Sequence, residues 1–83
     1  MFKLYAGLAE TTSDYLKVKS AWMPILRSSL NDLLWMAMRI NDEGTQIAWE
    51  IEGDDGSRLN RQDIAYIIER EREKLSANPP VAY

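Results

Sequence analysis

The spacing of apolar residues along the 83-residue chain predicts four elements. Phe2, Leu4, Ala6 and Leu8 alternate with other residues, the period of a strand with one buried face. Farther on, Leu34, Met36, Met38 and Ile40 alternate with Trp35, Ala37 and Arg39. Ile47, Trp49 and Ile51 alternate with Gln46, Ala48, Glu50 and Glu52. Closing these two runs through Asn41-Asp42-Glu43-Gly44 sets Met38 opposite Ile47, Met36 opposite Trp49 and Leu34 opposite Ile51. Every inward residue then meets an inward residue, and a one-residue slip would mismatch all of them. A β-hairpin over residues 34–52 is therefore expected, with Gly44 taking the positive φ of its loop.

A helical reading competes for the first arm. Leu26, Leu30, Leu33, Leu34, Ala37 and Met38 also fall on one helical face, and Leu, Met and Ala favour helices. The cross-strand match favours the strand from about residue 34. From Thr12 or Ser13, the positions Tyr15, Val18, Trp22, Ile25, Leu26 and Leu30 suit a helix that Pro24 would kink. The alternative is a strand over Tyr15–Ser20 followed by a short helix starting at Pro24.

The last helix has the clearest start. Asn60 is a good N-cap, Asp63 sits three residues on, and Leu59 with Ile64 has the spacing of a hydrophobic staple. Ile64, Ile67, Ile68 and Leu75 form its apolar stripe. Glu69 to Lys74 form a solvated face with opposite charges three apart, and Asn78-Pro79-Pro80 stops the helix. These elements predict one small α+β domain over residues 1–78, an antiparallel sheet (hairpin 34–52 plus the N-terminal strand) packed by two helices, with a flexible tail at 79–83.

Composition narrows the picture. The apolar fraction is 46% and the charged fraction 28%, ordinary for a globular domain. No apolar run reaches the roughly 20 residues of a membrane span, and the N-terminus is a poor signal peptide, so a cytoplasmic protein without membrane association is expected. Net charge is −3. Residues 41–55 hold Asp42, Glu43, Glu50, Glu52, Asp54 and Asp55 and no Lys or Arg.

The two acidic, glycine-ended clusters raise the question of a metal. A calcium loop needs oxygen ligands at its first, third and fifth positions and Gly at the sixth. Neither Gly44 nor Gly56 satisfies this, since Arg39 and Ile51 would fall at the first position. Turn chemistry accounts for both clusters, so no metal and no cofactor is expected. His and Cys are absent. The commonest proton shuttle and the most reactive nucleophile are both missing, and no phosphate loop or nucleophile elbow is present. A non-enzymatic role is expected.

The outward face of the expected hairpin offers Trp35 beside Ala37 and Ala48, edged by Arg39, Glu50 and Glu52, the layout of an interface anchor with a polar rim. Those six residues are the expected contact surface for a protein partner or a second copy of the chain. Three tryptophans interspersed with lysines and arginines raise single-stranded nucleic acid as the alternative ligand, although net acidity argues against it.

Overall fold

A computed structural model describes residues 1–77. It is a small α+β domain with a four-stranded antiparallel sheet and three α-helices. In chain order these are β1 (Phe2–Gly7), α1 (Thr12–Val18), β2 (Ile25–Arg27), α2 (Leu30–Glu43), β3 (Ile47–Gly53), β4 (Arg58–Asn60) and α3 (Arg61–Ala77). A 3₁₀ turn over Lys19–Ala21 continues α1. The sheet order is β2-β1-β3-β4, with β1 and β3 in the centre. The expected tail at 79–83 lies outside the described residues.

The α+β class, the N-terminal strand and the last helix agree with the sequence pattern. Asn60 and Asp63 form a reciprocal cap: the Asp63 amide donates to Asn60 Oδ1 at 2.8 Å, and the Asn60 amide to Asp63 Oδ2 at 3.1 Å. The expected hairpin over 34–52 is not there, because its first arm is the middle of α2. Ser29 caps that helix, its hydroxyl accepting from the Asp32 amide. Leu33, Leu34, Met36, Ala37 and Met38 are buried along it. Gly44 ends it in the left-handed conformation, φ 75°, and donates its amide to the Ile40 carbonyl. A glycine that looked like a hairpin turn is a helix C-cap, and a period-two run is a subset of a wide helical stripe.

Residues 13–31 are neither a kinked helix nor a strand followed by a helix. A short helix capped by Thr11 comes first, and a three-residue strand follows Pro24. Proline disfavours helix in the residue before it, which suits an extended approach to β2. The true hairpin joins β3 to β4 around Asp54–Ser57. Gly56 takes φ 89°, and Asp55 Oδ1 accepts from both the amide and the hydroxyl of Ser57. The second acidic cluster is thus a turn, as its composition indicates.

One side of the sheet supplies Leu4, Ala48 and Ile51 to a core shared with α2 and with Ile64, Ile68 and Leu75 of α3. Leu4, Leu33, Ile51 and Ile64 are the largest wholly enclosed side chains. Each contributes about 1.5–3 kcal/mol by leaving water. Between β1 and β3 the register shifts: Leu4 pairs with Ile51 and Tyr5 with Glu50, but Ala6 pairs with Ala48. Trp49 has no partner on β1 and is the extra residue of a β-bulge.

Gly44→Ala tests the helix end. The alanine would have to hold a positive φ with no new contact to offset it, since nothing lies within 4 Å of a Cβ placed there. A loss of about 1 kcal/mol in urea unfolding is expected.

Candidate functional site

The six residues expected to form one contact surface are divided between two elements. Trp35, Ala37 and Arg39 lie on α2, whereas Ala48, Glu50 and Glu52 lie on β3. Ala37 and Ala48 are completely enclosed in the core. Trp35 is half-buried against that core, with the Arg39 guanidinium 5.8 Å from its ring centre. Arg39 itself is exposed, 3.8 Å from Glu43. No flat apolar spot forms around Trp35, because the helical twist sends Trp35 and Ala37 in different directions and the bulge turns Ala48 inward.

Glu50 and Glu52 come together elsewhere, on the side of the sheet covered by α1. Glu50 is only 5% exposed. Its Oε1 accepts from the Tyr15 hydroxyl at 2.7 Å and pairs with Lys19 Nζ at 2.6 Å. Its Oε2 accepts from Arg58 Nε at 2.7 Å and from the adjacent Arg58 Nη2. Lys19 also reaches Glu52, at 2.8 Å. Burial works to raise the Glu50 carboxyl, but the donors Lys19, Tyr15 and Arg58 prevail and hold it below the usual carboxylate range. Burial, then the neighbouring Glu50, push the Tyr15 phenol well up. Lys19 loses some charge preference to burial and regains more from Glu50 and Glu52, so its ammonium is also raised.

Around this carboxylate lies a second, aromatic cluster. The Tyr15 and Trp49 rings stack almost parallel with centres 5.1 Å apart, and Trp22 leans on Tyr15 at 5.5 Å. The Trp49 indole N–H donates to the Ala9 carbonyl at 2.9 Å. Arg61 sits 4.9 Å from the Trp49 ring centre. A Cβ on Gly7 would come within 2.5 Å of the Trp22 ring, so that residue must be glycine for the indole to lie on β1. None of the three tryptophans is an exposed platform.

The two sides of α1 border two hollows. Asp14 and Val18 face one of about 650 Å³, whose other walls include Leu8, Trp22, Met23 and Gln46. Tyr15 and Leu16 face the other, of about 460 Å³, bounded by Trp49, Glu50, Arg58 and Arg61. Both volumes lie in the range of binding cavities. The first is open and fringed by apolar side chains: Met23 is 93% exposed and Leu8 75%. The second is more polar, with Glu50 fully engaged among its walls. A carboxylate whose oxygens are both occupied and a phenol pushed upward are poor acid–base catalysts at neutral pH. Among the described residues no group of His, Cys, Asp or Glu is placed to hold a metal, and no helix is long and apolar enough to cross a membrane.

Sequence reasoning singled out Glu50 but not its partners. Tyr15 lies 35 residues away, and nothing in its local pattern distinguishes it from a helix core residue. The available signal was Glu50 itself, an acid between Trp49 and Ile51 in a continuous buried run. No family model, no curated protein and no solved structure matches this chain.

Glu50→Gln should cost about 2–3 kcal/mol at pH 7, somewhat below a fully buried pair because Arg58 is largely exposed. Glu50 has a lowered carboxyl in the fold. Its contribution is complete above the unfolded value of about 4.3 and disappears as pH falls through the folded one. Tyr15 and Lys19 have raised values, so their contributions hold below about pH 10 and are lost as pH rises further. Urea unfolding across pH 2–11 should show the gap between wild type and E50Q narrowing at the acid end. A constant gap would contradict the network.

Proposed function

We propose that the protein is a small non-enzymatic binding module that holds an apolar segment of a protein partner in the larger hollow beside α1. The observation that carries this reading is the pair of lips formed by Leu8 and Met23. Both are long apolar side chains left in water on the lining of one concavity, which Trp22 and Val18 also line. Single exposed apolar residues are ordinary, but several around one depression mark an interaction site. Covering Leu8 and Met23 would contribute about 1.5–3 kcal/mol each, enough to anchor a contact of moderate affinity.

The reading keeps a protein partner and moves the contact from the acidic β3 face to the groove. Glu50 and Glu52 are matched by Lys19 and Arg58, so they offer little charge to a partner. Asp14 is the one acid on the groove wall, which favours a segment with a basic residue beside its apolar one. The absence of His and Cys supports the non-enzymatic part. A cytoplasmic site of action belongs to the same proposal.

The test is affinity capture from the native host with four baits: wild type, Leu8→Asp, Met23→Asp, and Tyr66→Asp as an exposed control on α3. All three substitutions are at the surface and should change stability by less than about 0.5 kcal/mol. A partner held by wild type and by Y66D, and reduced about tenfold or more with L8D and M23D, is the expected result. Equal recovery by all four baits, or no enriched protein, would overturn the reading. Sedimentation of wild type and M23D distinguishes a second copy of the chain from a different partner.

A further inference from the structure

The smaller hollow has a chemistry of its own. Its base is the edge of the Tyr15–Trp49 stack and one wall is Leu16, all carbon-rich. Arg58 and Arg61 stand at its rim. Glu50 is the one carboxylate lining it, and both of its oxygens are taken by Tyr15, Lys19 and Arg58. It has no lone pair left for Arg61. Arg61 makes no ion pair among the described residues; its guanidinium is held by the face of Trp49. Arg58 spends its Nε and one Nη2 hydrogen on Glu50 and keeps its remaining N–H groups.

Among the side chains lining the hollow, Arg58 and Arg61 are cationic and Glu50 is the one anion, a balance of one positive charge. The chain as a whole is at −3. The first turn of α3, a helix of 17 residues, begins at Arg61 and adds the positive end of its dipole. Asp63 in that turn accepts from the Asn60 amide and does not line the hollow, but its charge offsets part of that dipole. A cationic hollow with an aromatic floor, on an acidic protein, is a site for an anion with a flat apolar body.

We propose that the hollow between α1, β4 and the start of α3 binds a small organic oxyanion, its carboxylate or phosphate bridging Arg58 and Arg61 and its apolar part lying against Leu16 and the Tyr15–Trp49 edge. Arg61 is the selecting residue. It is preorganised on the Trp49 face yet has N–H groups to give, so an arriving oxyanion gains a bidentate partner without breaking an internal ion pair. This site is separate from the groove bearing Leu8 and Met23, because α1 lies between them.

The experiment is a ¹H–¹⁵N NMR titration of the full chain with three probes: 4-phenylbutyrate, phenyl phosphate, and the neutral 4-phenylbutyramide. Saturable shifts at the Trp49 indole N–H and the Arg61 and Gln62 amides are expected with either anion at millimolar concentration. The amide should bind at least tenfold more weakly. Arg61→Met keeps the apolar stem and loses the charge, and should weaken the anions by a similar factor while Leu8 and Met23 resonances stay in place. No saturable shift with either anion, equal response to the amide, or unaltered binding in R61M would each overturn the proposal. Because groove resonances are read in the same spectra, failure here is distinct from failure of the protein-binding reading.

Discussion

Strand β3 carries one residue more than its partner β1, and the division of its side chains between the two faces of the sheet depends on it. A strand alternates faces with period two, so Ile51 and Ala48, three apart, would ordinarily point to opposite sides. The skip at Trp49 lets both point into the core beneath α2 and α3. Trp49 and Glu50 are left for the other face, where the Tyr15 ring covers the first and its hydroxyl meets the second. A β-bulge also sharpens local twist. Here it allows one strand to serve two different interiors: one aliphatic, one aromatic and charged.

The second interior explains how α1 stays in place. Seven residues make a marginal helix, and only Tyr15 of them is buried. No apolar stripe holds it down. Its attachment is Tyr15 on Glu50 and Trp49, with Lys19 just beyond its end reaching Glu50 and Glu52. Enclosing a carboxylate is costly unless donors surround it, and here four donor contacts do so. The polar anchor leaves Leu16 and Val18 unused by the fold, both exposed. An element held by a buried polar anchor, with apolar side chains to spare, lies between two hollows.

Much of this was readable from the chain where signals were local. Asn60 with Asp63, and Leu59 with Ile64, marked the start of α3 without ambiguity. Part of the core membership was also legible: Leu34, Met36, Met38 and Ile51 are buried, whereas Ile40 and Ile47 are only half-buried and Trp49 is buried against Tyr15 on the other face. Their geometry was not. Leu34, Met36 and Met38 satisfy a period of two as well as the broad stripe of a helix buried on more than half its surface. Ser29 with Asp32 three residues later, which the pattern above did not weigh, would have decided for a helix starting just before the disputed run. Gly44 could not decide, since a hairpin loop and a helix C-cap both want a positive φ. The bulge left no local mark, and without it the alternation sends Ala48 and Glu50 outward together. The Tyr15–Glu50 contact is purely tertiary and could be met only in the folded chain.

Folding also redistributes charge in a way the linear sequence conceals. Residues 41–55 carry six acids and no base, which reads as a negative surface. In space that run is largely matched. Asp42 meets Arg72 at 2.9 Å, Glu43 lies near Arg39, Glu50 takes Lys19 and Arg58, and Glu52 shares Lys19. The exposed pairs are worth little energetically, yet each reduces the field a distant partner would feel. Long-range steering by an acidic face therefore has little basis in the folded molecule. What the described residues leave unsatisfied is different: apolar carbon at Leu8 and Met23, and cationic N–H groups at Arg58 and Arg61. Recognition has to use what the interior has not already consumed, and on this protein those two leftovers lie on opposite sides of α1.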